Sequence, residues 1–191
     1  MKAIYTSIAC NRLAETAAHA PDEPLIAFGA DHHVAFLAYD ETQTSTGTAC
    51  SSEVIGWLNG HTGRVNAVRW FKTDAVTGLV SVSVDKTIRL WRRQPDGTWV
   101  CDSVLAEAHT ASISVLAVLV RQQQLWIATG GSDGLLQLTQ CTLPTTAHEP
   151  IQMPSQPTQT IPLKNDYALS ADMAVLPHSQ RTFLGLHEAM Q

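Results

Sequence analysis

Apolar residues in this chain come in short runs separated by turn residues. The clearest block is Gly60 to Trp91. Val65, Ala67, Val68, Trp70 and Phe71 make one run, Leu79 to Val84 a second and Thr87 to Trp91 a third, with a polar corner at Val84-Asp85-Lys86. Three such runs between turn signals predict three antiparallel strands. The turn Gln94-Pro95-Asp96-Gly97 then predicts a hairpin into a fourth strand, Trp99 to Leu105.

The block recurs. His109 stands 48 residues after His61, Thr129 48 after Ser81 and Asp133 48 after Asp85. The apolar positions keep the same register: Val65 with Ile113, Val68 with Leu116, Leu90 with Leu138. Thr139 occupies the offset of Trp91, and Ala108 that of Gly60. A fixed period of this kind marks a repeated supersecondary unit.

Four polar residues of the block suit one buried hydrogen-bonded chain: His61, Ser81, Asp85 and Trp91. An indole N–H only donates, a hydroxyl donates and accepts, and an imidazole can direct a proton toward a carboxylate. Polar groups inside a fold are cheap only when each finds its partner. The second copy offers His109, Thr129 and Asp133, a degenerate set without the indole donor, so Thr129 needs a water or another partner in its place.

A Gly-His pair, a strand hydroxyl, a turn Asp and a strand Trp at these offsets resemble the WD repeat, with one departure: the family's Trp-Asp ending is Trp91-Arg92 here. The resemblance implies an all-β fold, an incomplete WD-repeat β-propeller of about three blades plus part of a fourth. Residues 1–58 are then an irregular first blade, 59–105 a WD repeat, 106–141 a degenerate repeat, 142–163 a Pro-rich loop and 164–191 the start of a further blade.

The flanks read less regularly. Ile4 to Ala9 predicts an opening strand. Ala14 to Pro24 predicts a loop, with room for one helical turn up to Ala20 before Pro21 ends it. Leu25–Gly29 and Val34–Tyr39 predict two strands around Ala30-Asp31-His32-His33, with Tyr39-Asp40 where a Trp-Asp would stand. Glu41 to Ser52 predicts a polar loop and Glu53 to Leu58 a short strand. Pro144, Pro150, Pro154, Pro157 and Pro162 exclude a central strand and leave at most an edge strand near Ile151. Pro154 and Pro157 have PxxP spacing, a weak ligand pattern, and a loop is the reading taken. Tyr167–Leu176 and Thr182–His187 predict two strands of the last blade, where the sequence stops inside a repeat.

Composition adds bounds. With 45% hydrophobic and 15% charged residues, disorder is not the default, and a net charge of −5 argues against a chain-wide nucleic-acid surface. The central block is nonetheless basic, and Arg64, Lys72, Arg92 and Arg93 are its candidate partner contacts. Cys10, Cys50, Cys101 and Cys141 lie far apart with no zinc spacing, which predicts free thiols. No secretory leader or membrane-length apolar run is read, so cytoplasm and nucleus are the expected compartments. His32-His33 is expected to be a turn whose side chains point apart rather than a metal site. His61, Ser81 and Asp85 have the residue types of a catalytic triad, but they recur one period later and the Ser lacks a G-x-S-x-G elbow, so no enzyme is predicted.

Further motifs narrow the resemblance. Ile8-Ala9-Cys10-Asn11-Arg12, Phe28-Gly29-Ala30 leading to Val34-Ala35-Phe36, and Gly60-His61-Thr62-Gly63-Arg64-Val65-Asn66-Ala67-Val68-Arg69-Trp70 resemble the N-terminal region of the Elongator subunit 2 family. That resemblance implies a noncatalytic scaffold that holds the large and the catalytic Elongator subunits, in support of wobble-uridine modification of tRNA. It implies no cofactor, metal or small-molecule substrate of its own, no membrane partner, and tRNA contact that is secondary at most. The alternative is a WD-repeat adaptor of another assembly, such as a ubiquitin ligase.

Overall fold

The computed structural model describes residues 17–44, 47–106, 108–163, 168–175 and 182–188. Its described strands are β1 (Ala17–His19), β2 (Leu25–Ala30), β3 (His33–Thr44), β4 (Gly47–Asn59), β5 (Val65–Lys72), β6 (Thr77–Ser83), β7 (Ile88–Arg93), β8 (Trp99–Leu105), β9 (Ile113–Arg121), β10 (Gln124–Gly131), β11 (Leu135–Thr142), β12 (Gln159–Pro162), β13 (Ala168–Val175) and β14 (Thr182–Glu188). They form three four-stranded antiparallel sheets in chain order, β1 to β4, β5 to β8 and β9 to β12, and a two-stranded sheet β13-β14. This is an all-β, partial WD propeller. β5 packs beside β1 and β2 on one side and β9 on the other, and β9 packs beside β13.

Blade 2 is covered on both faces by its neighbours, which explains the sequence of β6. Alternation would suit a strand with one wet face. Instead every residue from Gly78 to Ser83 is buried. Leu79 and Trp91 pack toward blade 1 with Val34, Phe36, Leu58 and Val68. Val80, Val82, Ile88 and Leu90 pack toward blade 3 with Ile113, Leu116, Leu125 and Ile127. The blade 1–2 seam ends in an aromatic cluster. Phe36 stacks on Trp99 at 5.0 Å, Trp70 meets Trp99 edge-on at 5.6 Å, and the Trp70 indole donates to the Ala18 carbonyl at 2.8 Å.

Several expectations from sequence are corrected. Ala17–His19 is a strand, not part of a helical turn: pairing with β2 decides the conformation over the helix preference of alanine. Most of the supposed loop Glu41–Ser52 belongs to a long β3–β4 hairpin, because its threonines fit a ladder as readily as a loop. The edge strand of the Pro-rich segment lies at Gln159–Pro162, not near Ile151, and all four of its residues are exposed. Pro162 sits at its end on the sheet edge, where a missing N–H costs no central ladder bond. The His32 and His33 rings do not point apart. They lie 3.8 Å centroid to centroid, across a turn in which Asp31 takes a left-handed φ of 56°. The predicted strand Ile4–Ala9 lies outside the described residues.

Between β11 and β12 the chain crosses back over blade 2. Ile151 is fully buried in the blade 2–3 core. Its N–H donates to Asp102 at 2.9 Å, and the Met153 N–H donates to the Ser103 hydroxyl at 3.1 Å. Asp102 in turn holds Arg92 through two bonds, at 2.5 Å from Nε and 3.0 Å from Nη2, and Arg92 Nη1 donates to the Ala147 carbonyl. Both side chains of this ion pair are 3% exposed. Here the departure from Trp-Asp acquires a purpose: Arg92 ties the segment from blade 3 to the outer strand of blade 2.

Replacing Arg92 alone with Leu leaves Asp102 buried and unpaired, which costs about 3–5 kcal/mol. Replacing Arg92 and Asp102 together by apolar residues is expected to cost less than Arg92→Leu alone. Denaturant midpoints of the two variants check the order, and a larger loss in the double variant refutes the assignment.

Candidate functional site

The tetrad of blade 2 is assembled from four places in the sequence. His61 comes from the β4–β5 connection, Ser81 from β6, Asp85 from the β6–β7 corner and Trp91 from β7. The Trp91 indole donates to Ser81 Oγ at 2.8 Å, Ser81 Oγ lies 2.8 Å from His61 Nε2, and His61 Nδ1 lies 3.0 Å from Asp85 Oδ2. With the proton on Nδ1, donation runs one way: indole to hydroxyl, hydroxyl to imidazole, imidazole to carboxylate. Asp85 also accepts the Thr62 N–H at 2.9 Å, the Thr87 N–H at 3.0 Å and the Thr87 hydroxyl at 2.7 Å. One carboxylate thus closes both loops that meet at this end of the blade.

Blade 3 repeats the scheme without the indole. His109 Nε2 lies 2.9 Å from Thr129 Oγ1, and His109 Nδ1 lies 3.0 Å from Asp133. The Thr110 and Leu135 N–H groups complete the Asp133 carboxylate. Thr139, at the Trp91 offset, is buried with its hydroxyl unpartnered. The same exchange bears on Ala108. A Cβ on Gly60 would stand 2.8 Å from Arg89 Nη1 and 3.0 Å from the Trp91 ring, so a larger residue there needs the Arg89 end to shift and the indole to give. At the same offsets blade 3 carries Gln137 and Thr139, both smaller, opposite an Ala108.

Charge follows the same geometry. Burial works against ionised Asp85, but the Thr62 N–H, the Thr87 hydroxyl, His61 and the Thr87 N–H together bring its pKa down to about 2. Burial also dominates at His61, which is pushed below its ordinary 6.5 against the pull of Asp85. At neutral pH the pair is therefore a neutral imidazole beside a carboxylate. Asp133 is likewise lowered, burial being outweighed by bonds from His109 and Thr110. Burial raises the Cys141 thiol to about 12, which removes it from thiolate chemistry.

As chemistry, the site offers little to a substrate. Ser81 is fully buried, its hydroxyl occupied on both sides by His61 and Trp91. The arrangement holds a blade together.

The basic residues divide into two groups. Lys72 pairs with Asp22 at 2.5 Å and Arg93 with Glu23 at 2.7 Å, tying blade 2 to the β1–β2 turn of blade 1. Arg92 is buried and cannot meet a partner from its position, because Asp102 and the Ala147 carbonyl occupy its guanidinium. Arg64 is exposed, and its Nε donates to Asn66 Oδ1 at 3.2 Å. Asn66 itself escaped notice in the sequence. Its amide donates to the Ile113 carbonyl at 2.6 Å and to Ser112 Oγ at 3.2 Å, stapling β5 to the start of blade 3. The available signal was an Asn interrupting the apolar run of β5.

Comparisons with known proteins agree with this geometry. The WD domain, G-beta repeat family matches residues 52–92. Over 136 residues, 71% of the chain, the sequence is 32% identical to Elongator complex protein 2 of Drosophila melanogaster. Over 159 residues, 82% of the chain, it is 28% identical to the protein of that name from Danio rerio. The chain spans only 16% and 17% of the length of these two relatives. A shorter stretch of 60 residues, 31% of the chain, is 42% identical to the probable cytosolic iron-sulfur protein assembly protein Ciao1 of Culex quinquefasciatus, covering 17% of it.

Two measurements test the tetrad. Asp85→Ala is expected to lower the denaturant midpoint more than Asp133→Ala. It removes the acceptor at the end of a chain that includes a buried indole, at about 1–3 kcal/mol for each donor left unsatisfied. Equal or reversed losses refute this. The pH dependence has a fixed sign. Asp85 and His61 both bind protons less readily in the folded state, so their contribution is present at neutral pH and lost as pH falls. The loss begins below 6.5 through His61 and continues from 3.8 toward about 2 through Asp85. Midpoints that stay level or rise on acidification contradict the assignment, and Asp85→Asn is expected to flatten the lower limb.

Proposed function

We propose, for a WD-repeat chain similar to Elongator complex protein 2, the role of a noncatalytic scaffold that holds other subunits of an Elongator complex. The observation that carries this reading is the reach of the similarity: it extends over 71% of the chain, well beyond the single repeat matched by the family. The buried tetrads support the absence of catalysis, since their polar groups are consumed by one another. In this reading the chain contributes to wobble-uridine modification of tRNA by positioning the large and catalytic subunits, in cytoplasm and nucleus, without touching the reaction.

A second reading takes the chain as an adaptor in another assembly. The 42% identity to Ciao1 favours it locally, but that match is confined to 60 residues. Repeat residues that serve folding are shared by propellers of unrelated function.

Affinity purification of the full-length protein from cell extract, with mass spectrometry of what accompanies it, separates the readings. Recovery of the large and catalytic Elongator subunits is expected. Recovery of iron-sulfur assembly factors or a ubiquitin ligase in their place moves the function to the adaptor class, and substrate turnover by the purified protein overturns both.

A further inference from the structure

Blades 2 and 3 are built on one plan, so positions where they differ on the surface are not dictated by the fold. At the end of blade 2 nearest the tetrad, Arg64, Val84 and Lys86 are exposed, Val84 by 41%. They form one corner: the Val84 N–H donates to the Arg64 carbonyl at 2.9 Å, and the Lys86 N–H to the Ser83 carbonyl at 3.2 Å. The positions 48 residues on are Ser112, Ser132 and Gly134. At these three positions blade 3 therefore makes the same turn with no charge and no large apolar side chain.

Lys86 is the informative one. It holds φ at 68°, and its counterpart Gly134 holds 71°. That region is open to glycine and disfavoured for a residue with a Cβ. Blade 3 uses the residue the turn prefers, while blade 2 carries a lysine in spite of the backbone. The charge is also left available. Lys72, Arg92 and Arg93 are paired with Asp22, Asp102 and Glu23, whereas among the described residues no carboxylate forms an ion pair with Arg64 or Lys86. Asp85, between Val84 and Lys86 in sequence, faces inward to His61.

We propose that the Arg64–Val84–Lys86 corner docks an acidic peptide segment of a partner protein, with an apolar side chain of that segment on Val84. Two exposed cations around an apolar side chain suit a short carboxylate-rich segment. They are few for a nucleic acid, whose binding is dominated by many phosphate contacts, and the chain as a whole carries a net charge of −5. The proposal rests on the scaffold reading but not on the identity of the assembly.

The test uses the full chain and a fluorescein-labelled polyglutamate peptide with leucine at its centre, followed by fluorescence anisotropy. Arg64→Ser, Val84→Ser and Lys86→Gly place the blade 3 residues in blade 2, where the shared turn accepts them. Each lost cation is expected to weaken binding about two- to fivefold, the scale of an exposed ion pair, with the difference shrinking as salt is raised. Lys86→Gly is expected to unfold at an equal or higher denaturant midpoint, so its weaker binding is not a folding defect. A triple variant that binds the peptide as the parent does overturns the proposal. Tighter binding of oligouridylate than of the peptide, lost in the same variant, also overturns it and gives the corner to nucleic acid. Peptide binding that persists while Elongator subunits fail to co-purify counts against the Elongator assignment alone.

Discussion

A buried polar chain sets the terms for this fold. Ser81 is fully buried in β6 between Val80 and Val82, and a hydroxyl there is cheap only when its donor and its acceptor capacity are both used. Trp91 and His61 use them, and His61 then needs Asp85. That requirement propagates outward. Asp85 has to sit at a corner where it can also take the Thr62 and Thr87 N–H groups, and the indole and the end of Arg89 crowd the position of Gly60. Four residues separated in sequence thereby fix the ends of two strands and two loops.

Blade 3 shows what happens when one member is exchanged. Thr139 replaces the indole, an unpartnered hydroxyl is the result, and Ala108 stands at the offset of Gly60. The carboxylate end is retained, because Asp133 still has the Thr110 and Leu135 N–H groups to satisfy. The corner carboxylate is thus the less dispensable part of the unit, since backbone donors at two loops depend on it.

The second constraint is the packing of blade on blade. The seams between blades are apolar, with Leu79 and Trp91 facing blade 1 and Val80, Val82, Ile88 and Leu90 facing blade 3, and at strand ends and turns charge adds further ties. Lys72–Asp22 and Arg93–Glu23 join blade 2 to blade 1, and Arg92–Asp102 anchors the segment that runs back from blade 3. A basic strand cluster in the sequence is mostly internal bookkeeping of this sort, and the cations left over are the ones a partner can meet.

Much of this was legible in the residues. The 48-residue register between His61 and His109, Ser81 and Thr129, Asp85 and Asp133 identifies the repeat and its polar chain, because the partners are local to one blade and the period carries them together. The strands of blades 2 and 3 follow from short apolar runs and turn residues for the same reason. What sequence alone left undecided depends on contacts between blades. Ala17–His19 is a strand only because β2 offers a ladder, Thr- and Ser-rich residues 41–52 extend a hairpin only because β3 and β4 pair, and Ile151 is core only because blades 2 and 3 leave a seam for it. Arg92 reads as a surface cation until Asp102 and the Ala147 carbonyl close on it. Local pattern determines which residues can form a blade, while burial and charge pairing belong to surfaces brought together from distant parts of the chain, and only the tertiary structure brings them together.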